Sequence, residues 1–355
     1  MTVRQLWTVY REYLVKQKRA KNTLDRYDVA AELFSEEFGS RRLCEVTTST
    51  VEDYLELVAH RKGPSSGITA RTVLSGMFRF AVRKDALAVN PAREAEMAKN
   101  VAPKGRTGGA RQITVDELRF ILTAVRTSQL PCPRLLSKKE RERANPLKRY
   151  QPPTVAAFCE TADLADWVAL LAATGLRRSQ LLGLLWTDID LDAGTLETTG
   201  KVIRVTGEGL VRVEEDNDPK NRKGRIALPD FAIEVLKLRK EALAERRKTK
   251  PPDPKVEVPD LVFPSQNWTL RDPNNVQHEW QRVREALGIP DDITAHSFRK
   301  AIATILDDAG LSARITADQL GHADISMAHR HYMARGRAHT EAAEAINHAV
   351  TGSRT

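Results

Sequence analysis

From Lys99 to Gln112 the chain reads Lys-Asn-Val-Ala-Pro-Lys-Gly-Arg-Thr-Gly-Gly-Ala-Arg-Gln, rich in Gly, Pro and positive charge and without an apolar period. Such a stretch offers nothing for a helix or strand to bury, so it is expected to be an interdomain linker. The chain has 355 residues, and a single hydrophobic core stops growing at about 250–300 residues. Two domains are therefore expected, 1–98 and 113–355, joined by 99–112.

Residues 1–98 carry helical periodicity throughout. Leu6, Val9, Tyr10, Tyr13 and Leu14 recur at three- and four-residue spacing, as do Leu24, Tyr27, Ala31 and Phe34. Thr50 is expected to cap a helix through Val51, Tyr54, Leu55 and Val58. Another helix is expected through Ile68, Val73, Met77, Phe80 and Ala81, ending before Asn90-Pro91. Residues 1–108 hold 19 Lys plus Arg against 13 Asp plus Glu, a balance of +6 within a whole-chain charge of +9. A helical bundle so charged suits a grip on DNA phosphates, and equally a well-solvated surface.

Beyond the linker a helix is expected at 114–127. A segment from Leu130 to Pro153 follows, with four prolines before Pro153 and the run Lys138-Lys139-Glu140-Arg141-Glu142-Arg143, which reads as an exposed basic insertion. Residues 163–185 form an apolar helical hairpin broken at Thr174-Gly175. The period then shortens: 195–205, 210–214 and 225–228 read as strands of a small antiparallel sheet, its last turn carrying Asp218-Pro219-Lys220-Asn221-Arg222-Lys223-Gly224. Helices resume to the C-terminus, interrupted by a Pro-rich loop at 251–264. The expected fold class is mainly α with a small antiparallel β-sheet.

A charge of +9 and a pI near 9.5 point to a polyanionic partner, though ribosomal and membrane-surface proteins share that balance. Three cysteines, Cys44, Cys132 and Cys159, are an odd number without metal-ligand spacing, so neither a disulfide framework nor a zinc site is indicated. The N-terminus lacks a signal-peptide apolar run, and no stretch of about 18 apolar residues spans a bilayer. A soluble, cytoplasmic protein with reduced thiols is expected.

Several polar residues stand where chemistry is conceivable. In the helix from Thr294 to Gly310, Arg299 lies about 60° from His296, whereas Phe298, Ile302 and Ile305 lie roughly 180–240° away. His296 and Arg299 are thus expected on one face away from the core stripe, suited to a phosphate at a helix start or to plain solvation. Arg177 follows the helix break Thr174-Gly175, and its planar fork fits two oxygens of one phosphate. Lys220 sits at a turn tip. His322 follows Gly321, and Tyr332 stands ten positions later. Each of these has an ordinary structural reading taken singly.

Their order and spacing resemble the tyrosine recombinase (phage integrase) family: Thr-Gly-x-Arg, a lysine in a strand hairpin, His-x-x-Arg, Leu-Gly-His, and a tyrosine nine or ten residues later. Residues 1–95, closing with Ala81-Val82-Arg83 to Asn90-Pro91, resemble the family's helical core-binding domain. The ten-residue step and Tyr332-Met333-Ala334-Arg335-Gly336 look most like integrases of actinobacterial phages and mobile elements.

The resemblance implies a SAM-like helical core-type DNA-binding domain and an α+β catalytic domain. It implies that Arg177 and Arg299 hold the nonbridging oxygens of a scissile phosphate. Lys220, with Lys223 as the fallback, would protonate the leaving 5′ oxygen; His296 would assist proton transfer with Tyr332; His322 would bind the phosphate or steady the transition state. Tyr332 would be the nucleophile of a 3′-phosphotyrosyl link. Two arginines and hydrogen-bond donors can stabilise charge spread over equatorial oxygens, so no metal or other cofactor is implied. Expected partners are double-stranded DNA at core-type attachment sites and three further copies of the chain in a tetramer on DNA, with host or phage accessory factors left open. The tail 333–355, with Ala342, Ile346, Ala349 and Val350 at helical spacing, suits docking on a neighbour or on its own domain.

Gln180 stands where the family usually has Glu, and Lys300 follows Arg299 where many members have His. The core-binding pattern starts within the first ten residues, so a separate arm-type domain is expected to be absent. A Xer-like resolvase of replicon dimers and a non-catalytic DNA-binding regulator are the alternative readings.

Overall fold

The structure is a computed structural model and describes residues 1–96, 110–136, 150–214, 225–255, 257 and 259–321. Most of the expected linker, much of the basic insertion, and Lys220, Lys223, His322, Tyr332 and the C-terminal tail lie outside the described residues. The chain divides into two compact units, Met1–Gly108 with Val205–Gly207, and the remainder.

The first unit contains α1 (Val3–Lys16), α2 (Lys21–Glu37), α3 (Thr48–Lys62) and α4 (Pro64–Val82). Thr2 caps α1 by accepting the Gln5 N–H at 3.3 Å, while Gln5 Oε1 accepts the Thr2 N–H at 2.9 Å. Thr47, not Thr50, caps α3: its hydroxyl accepts the Thr50 N–H at 3.2 Å, because Thr50 already lies within the first turn. Val9 and Ile68, counted in the apolar pattern, are exposed and Tyr13 and Tyr27 are half-buried, while the rest of each stripe is buried. The core is aromatic, with Phe38 and Tyr54 edge-to-face at 5.1 Å and the half-buried Tyr13 tilted against Phe80 at 4.9 Å.

The second unit opens with α5 (Val115–Thr127), capped reciprocally by Thr114 and Glu117. α6 (Val155–Thr161) leads to α7 (Leu164–Thr174), which is buried on nearly every side except at Asp166. A helix apolar all round belongs at the centre of its domain, and α7 is packed on by α5, α6, α9 (Asp230–Thr249), α10 (Pro273–Ala286) and α11 (Ala295–Asp308). The expected second arm of the helical hairpin shrinks to one turn, α8 (Arg178–Leu181). α12 (Ala313–Leu320) closes the described part.

The strands form two pieces. β1 (Ile189–Asp190), β2 (Thr195–Glu197) and β5 (Arg225–Ala227) make an antiparallel sheet in the order β1-β2-β5, with Leu196 opposite both Ile189 and Ile226. β3 (Gly200–Val205) and β4 (Gly209–Glu214) pair as a separate ribbon inserted between β2 and β5. Leu196 and Ile226 are buried, which seats one face of the sheet on the α-helical core.

Candidate active site

The site is built where α7 stops. Gly175 ends that helix in the left-handed region, φ +63, and a Cβ there would stand 2.7 Å from Leu320 Cδ2, so any other residue would be strained and would displace the Leu320 side chain. Thr174 reinforces the break: its hydroxyl donates to Leu170 O at 2.6 Å and accepts the Leu176 N–H at 3.2 Å. The chain leaves extended and places Arg177, half-buried, at the head of α8.

Gln180 holds that arginine. Its buried side-chain oxygen accepts the Arg177 backbone N–H at 3.3 Å and Arg177 Nη1 at 3.5 Å. A neutral amide thus accepts both bonds without placing a negative charge beside Arg177. The next residue, Arg178, reaches α10, donating to Pro273 O at 3.4 Å and to Asn274 Oδ1 at 3.3 Å. Asp272 caps α10 by accepting the Asn274 N–H at 2.9 Å. Burial pushes the Asp272 carboxyl up, but the Arg204 guanidinium and the Asn274 N–H outweigh it and hold the group below its usual range.

Opposite stands the start of α11. Thr294 caps it, accepting the His296 N–H at 3.3 Å, and Ser297 returns the bond by accepting the Thr294 N–H at 3.0 Å. His296 is exposed in this first turn, where the helix dipole favours an anion. A cleft of about 330 Å³ is lined by Arg177, Arg178, Gln277, Thr294, His296 and Arg299, among others.

Arg299 corrects the expectation of a face turned away from the core. It is 1% exposed. Its Nη1 donates to Gly175 O at 2.9 Å, and its Nη2 donates to Leu320 O. The helical wheel put Arg299 near His296 but could not show that α7 and α12 close over that side. Two helix C-termini direct carbonyls there, and a cation is favoured at such ends. The structure therefore brings Arg177, His296 and Arg299 around one cleft. Gln180, Arg178 and Gln277 were not singled out as site residues; Gln277 sits in α10, remote in sequence, and no spacing signals it.

Among the described residues no group of three or more His, Cys, Asp and Glu is placed to hold a metal ion. Nor is any described helix long and apolar enough to cross a membrane.

The profile of the phage integrase family matches residues 151–339, more than half of the chain. The chain belongs to the phage integrase family. The matched span contains Arg177, Lys220, His296, Arg299, His322 and Tyr332. Among curated relatives, the tyrosine recombinase XerC of Mesorhizobium japonicum is 32% identical over 161 residues, 45% of this chain and 43% of that protein. The chain thus spans less than half the length of that relative. Among solved structures, the Tn1549 transposon integrase in complex with a circular intermediate DNA superposes with a TM-score of 0.73 at 18% identity, covering 99% of this integrase-family chain and all of that one. A lambda integrase tetramer bound to a Holliday junction gives 0.58 at 18% identity, covering 96% and 79%. At these identities the likeness is one of fold: mainly helical, with small antiparallel sheets, as in integrases of this family.

Proposed function

We propose that this protein is a site-specific DNA recombinase, an integrase that breaks and rejoins duplex DNA at attachment sites. The observation that carries the reading is the convergence of Arg177, His296 and Arg299 on one cleft in a chain whose family match also spans His322 and Tyr332. The six residues act as one constellation. Arg177 and Arg299 neutralise the scissile phosphate; His322 adds a donor. The Tyr332 hydroxyl passes its proton to His296 as its oxygen attacks phosphorus, since a tyrosine side chain, with an ordinary pKa of about 10, needs an acceptor at neutral pH. The bond from phosphorus to the 5′ oxygen breaks as Lys220 protonates that oxygen. A 3′-phosphotyrosyl ester remains, and a 5′ hydroxyl from another strand reverses the step, so no nucleotide is consumed.

The domains follow the same reading: 1–98 is a core-type DNA-binding domain, 99–112 a basic linker, 113–355 the catalytic domain, with 130–153 an insertion and 333–355 a tail docking on a neighbour or on its own domain. Four copies exchange strands in pairs through a Holliday junction; the shared fold with the lambda integrase tetramer supports this. The tail pattern around Tyr332 points to DNA of a phage or mobile element of actinobacteria, inserted into the host chromosome in the bacterial cytoplasm. The match to XerC favours, as a second reading, a resolvase of replicon dimers, and a gene beside an attachment site would separate the two.

The test is to select a duplex from a random pool by binding, nick it beside the cleavage position, and look for protein covalently bound to DNA. The wild type is expected to form the adduct and Tyr332→Phe none. An equal adduct from Tyr332→Phe, or none from the wild type, would overturn the proposal.

A further inference from the structure

Most polar side chains around the cleft are engaged by the protein itself. Arg177 donates to Gln180 Oε1, Arg178 to Pro273 O and Asn274 Oδ1, and Arg299 to the carbonyls of Gly175 and Leu320, while the Thr294 hydroxyl accepts the His296 N–H. Gln277 and Ser179 differ. Both line the cleft and are half-buried, and neither side chain has a hydrogen-bond partner among the described residues. A serine at a helix start can turn its hydroxyl back onto its own backbone and needs no ligand. A glutamine amide reaches farther and presents two N–H donors to whatever fills the cleft.

The place of Gln277 is fixed from both ends of its turn. Asp272 caps α10 through the Asn274 N–H at 2.9 Å and is held in turn by Arg204 Nη2 at 2.6 Å. Gln277 follows Pro273 by four residues, so the two lie on one face of the helix. Arg178, bonded to Pro273 O, therefore draws that face toward the end of α8 that bears Arg177. Val276, Trp280 and Val283 are buried and set the rotation of the helix, which leaves Gln277 at the edge of the core stripe and on the cleft.

A phosphodiester brings only acceptors into such a space. Arg299 is nearly buried and turns Nη1 and Nη2 to backbone carbonyls, so a neutral donor beside it adds a bond that the arginines do not already make. A bond to a charged oxygen is shorter and stronger than one between neutral groups, and it accelerates the reaction where negative charge grows in the transition state. We propose that Gln277 is a further catalytic residue, its carboxamide N–H donating to one nonbridging oxygen of the scissile phosphate. This role rests on the recombinase reading above and gives α10 a part in the chemistry.

The test compares single-turnover cleavage of the selected nicked duplex with that of two versions carrying sulfur in place of one or the other nonbridging oxygen. Sulfur keeps the charge that the arginines meet but accepts hydrogen bonds poorly. Gln277→Met keeps the length and helix preference of the side chain without its N–H. It should slow the oxygen substrate about tenfold or more, the order set by one hydrogen bond to a charged group, and the loss should shrink to within about threefold on one sulfur isomer while staying whole on the other. Gln277→Glu has the same shape and, ionised, no donor; it should show at least the same loss with the same isomer preference, and it carries the test if Gln277→Met fails to fold. An unchanged rate on the oxygen substrate, or equal losses on the two sulfur isomers, would overturn the contact, because a packing role has no preference between two oxygens. If wild type forms the Tyr332 adduct while the variants behave so, the role of Gln277 falls alone. If wild type forms no adduct on the oxygen substrate, the recombinase reading falls and takes this role with it.

Discussion

Arg299 Nη1 donates to the carbonyl of Gly175 at 2.9 Å, across 124 residues of sequence, and the same guanidinium reaches Leu320 O. One buried cation thus joins the end of the helix that delivers Arg177 to the end of the helix that precedes His322. Removing it strips buried carbonyls of their donors, each worth about 1–3 kcal/mol.

Arg299→Ala should therefore lower unfolding free energy by about 3 kcal/mol, whereas Arg177→Ala, half-buried, should cost about 1 kcal/mol or less. Urea unfolding monitored by circular dichroism measures both. Equal losses would show that Arg299 does not clip α7 to α12.

Gly175→Ala combines a left-handed backbone with a methyl 2.7 Å from Leu320 Cδ2. The backbone term alone is about 1–2 kcal/mol, and the Leu320 side chain must shift to admit the methyl. A fall in thermal midpoint with a parallel loss of adduct formation is expected; an unchanged midpoint would contradict close packing of Gly175 against Leu320.

Gln180 separates shape from charge. Gln180→Leu leaves the Arg177 N–H without its side-chain acceptor and should slow cleavage about tenfold, the order expected for losing one hydrogen bond near a charged group. Gln180→Glu keeps the acceptor and should retain most of the rate. Cleavage rates at saturating protein decide, and a rate for Gln180→Leu equal to wild type would remove Gln180 from the site.

The thiols are sharply graded. Burial pushes the Cys159 thiol up to about 12 and raises Cys132, the latter despite the nearby Arg282 guanidinium, whereas Cys44 is exposed. At pH 8 iodoacetamide should label Cys44 in the native protein, and Cys132 and Cys159 only after unfolding. Because the folded state holds the Cys159 proton more tightly than an ordinary thiol with a pKa of 9.0 does, its contribution to stability is full below pH 9. It falls as pH rises from there toward about 12. Peptide mapping after brief labelling provides the check.

Binding to DNA should be steeply salt-dependent. The +6 balance of residues 1–108 and the arginines of the cleft favour phosphate contacts, so affinity should drop at least about 100-fold between 50 and 200 mM salt. Salt-insensitive binding in a fluorescence anisotropy titration would argue against a phosphate-tracking surface.

Periodicity alone located α1 to α5 and the helix from Ala295, because an amphipathic stripe is written into each segment without reference to any other. The break at Thr174-Gly175 was legible for the same local reason: only a glycine-like residue ends a helix in the left-handed region. Order and spacing singled out Arg177, Lys220, His296, Arg299, His322 and Tyr332 as candidates, and the family they suggested is the one whose profile matches residues 151–339. Tertiary structure decided the rest. It turned Arg299 from a residue beside His296 on a wheel into a buried clip, because burial depends on which helices close over a face. It split the strands into a sheet and a ribbon, because pairing is chosen between distant segments. It brought Gln277 of α10 to the cleft of Arg177, His296 and Arg299, since contacts between groups far apart along the chain leave no period in it.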